Sequence, residues 1–200
     1  MAVRATGDPG LRAGDALLIV DLQNDFLPGG SLAVPRGDEV VPLLAACVRR
    51  FIARELPVFA TRDWHPVDHC SFAAQGGPWP AHCVAGTPGA EFADRLELPP
   101  TVVVISKASE RERESYSAFA GTDLAQRLRQ AGCTRVFVGG LATEYCVLST
   151  VLDAIDEGLA VVLLADAVRA VNVQADDGAR ALTRMSERGA SMATVAELPE

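Results

Sequence analysis

All three histidines of this 200-residue chain lie in one stretch, residues 61–82, as His65, His69 and His82. Asp63 precedes the first of them by two residues. Imidazole nitrogen and carboxylate oxygen are donors that a divalent transition metal accepts, and short histidine-rich tracts are typical of metal sites. A solvated loop that is histidine-rich by chance is the alternative. The stretch therefore favours a metal-binding loop, without showing what the metal serves.

Further reactive side chains each follow a short apolar run. Such runs predict strands that are buried on both faces, as in a parallel sheet, where ligands bind beyond the carboxyl ends of the strands. The residues, each with its preceding run, are Asp21 (16–20), Asp63 (57–61), Lys107 (101–106) and Cys146 (135–139). An aspartate after a strand is by itself often a turn or capping residue. Four reactive groups at four strand ends predict one shared cleft.

Cys146 and Lys107 have the properties of catalytic side chains. Cys146 is expected in the first helical turn after Gly139 and Gly140, where free backbone N–H groups and the helix dipole favour a thiolate. A buried structural cysteine is the alternative. Lys107 is the only lysine beside 17 arginines, which suggests a task that needs a compact ammonium group. A general base for Cys146 could be Asp21 or Asp25, and we favour Asp21 because it directly ends a strand.

The predicted elements alternate between strand and helix. This order is typical of a three-layer α/β/α sandwich with a mainly parallel sheet of about six strands. We predict a single domain over residues 15–200 and a mobile tail over residues 1–14. The further strands are expected at 160–164 and 191–195, and the helices at 41–56, 122–130, from near 146 to 157, and 174–188, with a short helix near 90–96.

Composition limits the possible partners. The net charge is -8 and the pI is about 4.9, which argues against binding to nucleic acid or to an anionic membrane. No apolar run approaches the roughly 18 to 20 residues needed to span a bilayer, and we expect a cytoplasmic protein. The five cysteines form no CxxC pair and are odd in number, so we expect no disulfide framework.

Five stretches in the same order resemble the nicotinamidase (pyrazinamidase) branch of the isochorismatase-like hydrolases, and the resemblance extends over about residues 16–195. The stretches are 21–26 (DLQNDF), 63–72 (DWHPVDHCSF), 79–92 (WPAHCVAGTPGAEF), 116–119 (YSAF) and 140–146 (GLATEYC). The fold of that branch is the sandwich predicted above. Two departures stand out: residues 109–115 (SERERES) are unusually charged, and Glu144 replaces a common aspartate.

The resemblance implies a role for each candidate residue. The catalytic triad would be Asp21, Lys107 and Cys146. The metal ligands would be Asp63, His65 and His82, with His69 as a fourth ligand in some members. Phe26 and Trp79 would clamp the substrate ring, with Tyr116 and Ala142 also at the substrate. The backbone N–H groups of Ala142 and Cys146 would form an oxyanion hole, next to a cis bond between Leu141 and Ala142.

The hypothesis from the sequence is a metal-dependent amidase that converts nicotinamide, and also pyrazinamide, to the acid and ammonia through a thioester on Cys146. Zinc is the favoured metal, with iron or manganese as alternatives, and a homo-oligomer is possible. Three other hypotheses stay open: a relative acting on another small amide or a ureido compound, a metallohydrolase whose metal activates water while Cys146 is structural, and a zinc-stabilised binding module. The module is disfavoured because structural zinc sites are usually closed and rich in cysteine.

Overall fold

The structure, a computed structural model, describes residues 10–200. Residues 1–9, which form most of the predicted tail, lie outside the described residues, so the mobile tail stays a prediction. The part that is described contacts the domain. The Gly10 carbonyl accepts a hydrogen bond from Arg135 at 2.7 Å, and Leu11 packs against the core.

A parallel sheet of six strands forms the centre of the molecule, with strand order β3-β2-β1-β4-β5-β6. The order reverses between β1 and β4, which lie side by side. A crevice forms at such a reversal, beyond the carboxyl ends of the two strands. The strands are β1 (Asp15–Val20), β2 (Val58–Asp63), β3 (Val103–Lys107), β4 (Arg135–Leu141), β5 (Ala160–Arg169) and β6 (Ser191–Ala193).

Helices cover both faces of the sheet, which confirms the predicted three-layer sandwich. Alternate residues of β1 point into two separate cores. Leu17 and Ile19 pack on the side of α1, whereas Leu18 and Val20 pack on the side of the other three helices. The helices are α1 (Val40–Ile52), α2 (Leu124–Gln130), α3 (Leu148–Asp156) and α4 (Asp177–Glu187). No helix within residues 10–200 is long and apolar enough to cross a membrane.

Several predicted boundaries differ from the structure by one to three residues, and two differ by more. The first helix ends at Ile52, four residues early, because Glu55 has a left-handed φ of 57° and the Leu56 N–H bonds back to the Phe51 carbonyl. This closure satisfies carbonyls at a helix end, and apolar periodicity does not reveal it. Strand β5 extends to Arg169, five residues beyond its prediction, and its pairing with β4 shifts register between Val138 and Gly140.

Candidate active site

Asp21 lies immediately after β1, at the point where the strand order reverses. Its side chain is fully buried, and its backbone has a left-handed φ of 48°. The Thr61 hydroxyl donates a hydrogen bond to Oδ1 at 2.6 Å, and Lys107 Nζ lies 3.0 Å from Oδ2. The carboxylate is therefore held from two neighbouring strands.

Lys107 is the centre of the site. Its ammonium group is buried and contacts Asp63 Oδ1 at 2.5 Å and Asp21 Oδ2 at 3.0 Å. It also donates to the Ser115 carbonyl at 3.1 Å and approaches Cys146 Sγ at 3.5 Å. Burial opposes the charge, but Asp21, Asp63 and Cys146 outweigh it and raise the pKa of Lys107 well above its usual value. The lysine is thus a permanent cation among three acidic groups.

Cys146 lies beside this cation in a single π-helical turn, Thr143–Val147, that follows β4 and leads into α3. Such turns are frequent at functional sites. Burial raises the pKa of the Cys146 thiol well above its usual value; Lys107 opposes the rise, and Asp21 and Asp63 add to it. The thiolate that the sequence predicted is therefore not the favoured form. The resting group is a thiol, which needs a base.

Asp21 is placed to be that base. Oxygen atoms of Asp21 and Asp63 and the Cys146 sulfur all lie within 4.8 Å of one another. Burial raises the pKa of Asp21, while Lys107 opposes this rise. The alternative base, Asp25, has other partners, because its carboxylate accepts from the backbone N–H of Cys83 at 2.7 Å and of Ser31 at 3.2 Å. Asp25 therefore holds the loop that contains His82.

Gln23, which the sequence pattern did not indicate as a site residue, holds Asp63. Its fully buried amide accepts from the Asp63 backbone N–H and donates to the Asp63 carbonyl, both at 2.8 Å. It also donates to the Ala90 carbonyl at 2.9 Å. The side chain thus pairs with the end of β2 as a neighbouring strand would. A glutamine between two aspartates in 21–25 was the only signal in the sequence.

Asp63, His65 and His82 form a cluster whose ligand atoms lie within 4.8 Å of one another. All three side chains are buried. His65 Nδ1 contacts the His82 carbonyl and His82 Nδ1 contacts the Pro80 carbonyl, so each ring has its Nε2 left for another partner. His65 Nε2 is buried and has no hydrogen-bond partner among the described residues. This orphaned nitrogen beside a carboxylate and a second imidazole fits a divalent metal ion.

The protonation of His65 is also suited to a metal. Burial lowers the pKa of His65 to about 3, with smaller contributions from its neighbours. The ring is therefore neutral at physiological pH, and a neutral imidazole is the form that coordinates a metal.

His69 lies beside this cluster with both ring nitrogens engaged. Its ring centre is 4.3 Å from that of His65. Nδ1 contacts the Ser71 hydroxyl at 2.8 Å, and Nε2 contacts the Arg113 carbonyl at 3.1 Å. In this arrangement His69 joins the histidine loop to the charged segment 109–115. Its role as a fourth ligand stays a prediction.

The charged segment 109–115 packs against the stretch 61–82 that contains the three histidines. Arg111 forms an ion pair with Asp68 at 2.9 Å, and its carbonyl accepts from the Cys70 N–H at 2.8 Å. Within the segment, Arg113 and Glu110 lie 4.0 Å apart. Since Lys107 donates to the Ser115 carbonyl, the segment links the lysine to the histidines.

An aromatic cleft opens beside Cys146, which is one of its lining residues. Trp79 Nε1 donates to the Tyr116 hydroxyl at 3.0 Å, and both rings pack against Tyr145. Tyr145 was not among the predicted site residues, although it directly precedes Cys146. The lining residues are Phe26, Leu32, Val34, Asp63, Trp79, His82, Tyr116, Ala142, Tyr145, Cys146 and Val171.

The backbone that leads to the cysteine has the predicted form. The peptide bond between Leu141 and Ala142 is cis, as expected. The Ala142 carbonyl accepts from the N–H groups of Tyr145 and Val147, at 3.1 Å and 3.2 Å. All five cysteines have free thiols in the structure.

Known proteins resemble this chain over nearly its whole length. The nicotinamidase of Escherichia coli is 39% identical, with 92% of this chain and 97% of the relative covered. The pyrazinamidase of Pyrococcus horikoshii in complex with zinc superposes with a TM-score of 0.87 at 49% identity, covering 90% of this chain and 99% of the other. PnC1 from L. infantum in complex with nicotinate superposes with a TM-score of 0.86 at 36% identity, covering 94% of this chain and 96% of the other.

A family model places these similarities in one group. The model of the isochorismatase domain matches residues 15–197, from the first residue of β1 to the last helical turn. The match includes every candidate residue of the cleft. This chain therefore belongs to the isochorismatase family.

Proposed function

We propose that this enzyme is a metal-dependent amidase that hydrolyses nicotinamide to nicotinate and ammonia, and that also accepts pyrazinamide. The observation that carries the proposal is a buried thiol, Cys146, in contact with Lys107 and close to Asp21, at the base of an aromatic cleft. Asp63 and His82 of the histidine cluster line the same cleft. The relatives named as nicotinamidase and pyrazinamidase support this choice of substrate.

The first half of the reaction forms a thioester. Asp21 accepts the proton of the Cys146 thiol, and the sulfur attacks the carbonyl carbon of the amide. The carbonyl oxygen gains the negative charge and is stabilised by the backbone N–H groups of Ala142 and Cys146, each worth about 3 to 4 kcal/mol of barrier by analogy with known oxyanion holes. Protonated Asp21 then donates its proton to the amide nitrogen, which leaves as ammonia when the carbon–nitrogen bond breaks.

The second half removes the acyl group. Asp21 accepts a proton from a water molecule, whose oxygen attacks the thioester carbon. The carbon–sulfur bond breaks, the acid is released, and Asp21 returns its proton to the sulfur. Lys107 keeps Asp21 in place through both halves and offsets the charge of the sulfur as it forms, since its ammonium lies within 3.5 Å of both.

The cleft is suited to a flat aromatic ring. The Trp79, Tyr116 and Tyr145 rings form one wall, and Phe26 lies on the cleft next to His82, with their ring centres 5.7 Å apart. Asp63, His65 and His82 would hold the metal, for which zinc is our choice because the similar pyrazinamidase structure contains zinc. A bound metal supplies a Lewis acid for a ring nitrogen of the substrate. Recognition thus combines ring packing with one directed contact.

Ammonia release tests the function directly. The panel is nicotinamide, pyrazinamide and several aliphatic amides, each with and without a chelator, together with the metal content of the purified protein. We expect turnover of the two aromatic amides, loss with chelator, and about one metal ion per chain. Turnover of only aliphatic or ureido substrates would reject the proposal in favour of another member of the family.

His65→Ala tests the role of the metal cluster. The substitution removes the buried unpartnered nitrogen, so we expect metal affinity to fall by about 100-fold and the KM for nicotinamide to rise in parallel. Metal titration and steady-state kinetics measure the two effects. An unchanged KM in metal-free protein would contradict the anchoring role.

A cytoplasmic location and a homo-oligomeric state stay predictions. Cell fractionation and light scattering of the purified protein would test them.

A further inference from the structure

One wall of the cleft comes from a segment with no assigned role. Residues 170–176 connect β5 to α4, and Val171 of this segment lines the cleft beside the aromatic residues. The neighbouring Val173 is 65% exposed, so the segment has solvent on its other side. Val171 itself packs against the core on the α1 side, so its position depends on that packing and on the hydrogen bonds made by the residues next to it.

Two hydrogen bonds meet at Asn172, directly after Val171. The Asn172 N–H donates to Glu144 Oε1 at 2.7 Å, and the Asn172 side chain accepts from the Gly178 N–H at 2.9 Å. Asn172 has a left-handed φ of 53°. A Cβ on Gly178 would lie 2.5 Å from the Ala170 Cβ, so the segment packs tightly against the start of α4. The hydrogen bond from Asn172 to Glu144 thus joins segment 170–176 to the helical turn that contains Cys146.

Glu144 lies in the same π-helical turn as Cys146, two residues before it. Its carboxylate therefore connects the turn that contains the nucleophile with the segment that contains Val171. The second oxygen, Oε2, is buried and has no hydrogen-bond partner among residues 10–200. The carboxylate accordingly makes one directed bond, and the length of the glutamate side chain decides whether that bond forms.

We infer that Glu144 is a positioning residue that determines substrate selectivity: through Asn172 it holds Val171 against the cleft and so sets how large a ring substituent the site accepts. This inference rests on the proposed amidase function. The inference depends on the length of the glutamate, since an aspartate is one methylene shorter and should not reach the Asn172 N–H at its present position.

Glu144→Asp and Glu144→Gln separate reach from charge. Asp keeps the charge and loses the reach, whereas Gln keeps the reach and loses the charge. Selectivity is measured as kcat/KM for a ring-methylated nicotinamide divided by kcat/KM for nicotinamide. For Glu144→Asp we expect this ratio to rise about 5-fold, the size expected for one lost hydrogen bond. The kcat for nicotinamide should stay within about 2-fold of the wild type. Glu144→Gln should stay within about 2-fold of the wild type. Glu187→Asp, at the exposed end of α4, is the matched control.

A double-mutant cycle with Val171→Ala tests whether the effect passes through Val171. Glu144→Asp should change the selectivity little once Val171 is truncated, because the two substitutions remove the same contact. The inference would be overturned if Glu144→Asp and Glu144→Gln changed the selectivity ratio equally, or if Glu144→Asp left it unchanged. It would also be overturned if the effects of Glu144→Asp and Val171→Ala on this ratio multiplied in the double mutant.

Amide hydrogen exchange at Asn172 gives a readout that does not depend on catalysis. Exchange should be faster in Glu144→Asp than in the wild type and in Glu187→Asp, and equal rates would overturn the tether. If the wild type releases no ammonia from either amide, the proposed function and the selectivity role both fail. Faster exchange would then still establish the bond between Glu144 and the segment.

Discussion

Two buried ion pairs lie at opposite ends of the same sheet, and they are built from different cations. At the amino ends of β1 and β4, Arg135 forms a two-bond pair with Asp15, with both N–O distances at 2.7 Å. At the carboxyl ends, Lys107 shares its ammonium between Asp21 and Asp63 and also contacts Cys146. Both pairs are almost completely shielded from solvent.

The difference suits the Arg135 pair to a structural role and the Lys107 pair to the proposed catalytic role. The planar guanidinium of Arg135 matches one carboxylate and fixes where β1 and β4 begin. The ammonium of Lys107 is a compact charge that several partners share, so it can stabilise a sulfur whose charge changes during a reaction. Because arginine serves wherever a generic cation suffices, the single lysine marks the position where shape matters.

Cys146→Ala should produce the largest effect at the chemical end. Removing the sulfur eliminates the proposed nucleophile, so we expect kcat to fall by at least about 10⁴-fold. The metal content should be unchanged, because Asp63, His65 and His82 remain. Ammonia release and metal analysis measure both. Residual turnover near the wild-type rate would show that the thiol is not the nucleophile.

Lys107→Arg tests whether the chemical end needs a compact cation. The larger guanidinium keeps the charge but occupies space near Cys146 and cannot reproduce all four contacts, so we expect kcat/KM to fall by about 10²- to 10³-fold. Circular dichroism should show a folded protein. Activity within about 3-fold of the wild type would remove the distinction drawn between the two pairs.

Arg135→Lys is the converse substitution at the structural end. A lysine cannot form both bonds to Asp15 and the bond to the Gly10 carbonyl, so we expect the free energy of unfolding to fall by about 1 to 3 kcal/mol. Activity should remain within about 2-fold. Denaturant unfolding and ammonia release measure the two quantities. A large loss of kcat without a loss of stability would contradict the structural role.

Thr61→Val should have the smallest effect and sharpens the role of Asp21. The Thr61 hydroxyl donates to Asp21 and lowers the pKa of this carboxyl, against the rise caused by burial. The base must be ionised to act, so kcat/KM falls as the pH drops through the Asp21 pKa. Removing the hydroxyl raises this pKa further and should move the acid limb of the pH profile to higher pH. A limb that does not move would exclude Asp21 as the base.

The elements of the fold follow from local patterns along the chain. Unbroken apolar runs such as 16–20 are typical of strands buried on both faces, and alternation with helices allows few arrangements other than a parallel sheet between helical layers. The boundary errors came from contacts that periodicity does not encode. Glu55 ends α1 through its backbone conformation, and the extension of β5 depends on its pairing with β4.

Part of the candidate site could also be predicted from local patterns along the chain. Residue types and positions after strands indicated the histidine cluster and Asp21, Lys107 and Cys146, because the carboxyl ends of parallel strands meet at one edge of a sheet. Gln23 and Tyr145 carried no such signal, since a glutamine is usually exposed and an aromatic ring is common in any core. Their importance depends on which groups they contact.

The sequence by itself determined the fold class, the strand ends that form the cleft, and the set of reactive side chains, because these depend on apolar patterns and residue chemistry. Tertiary structure alone decided the protonation of these groups and their partners. Burial and the surrounding carboxylates make Cys146 a thiol rather than the predicted thiolate. Packing of distant segments assigned Asp25 to backbone anchoring and joined Glu144 to Asn172. Both outcomes depend on distances between residues far apart in the chain, which local sequence does not specify.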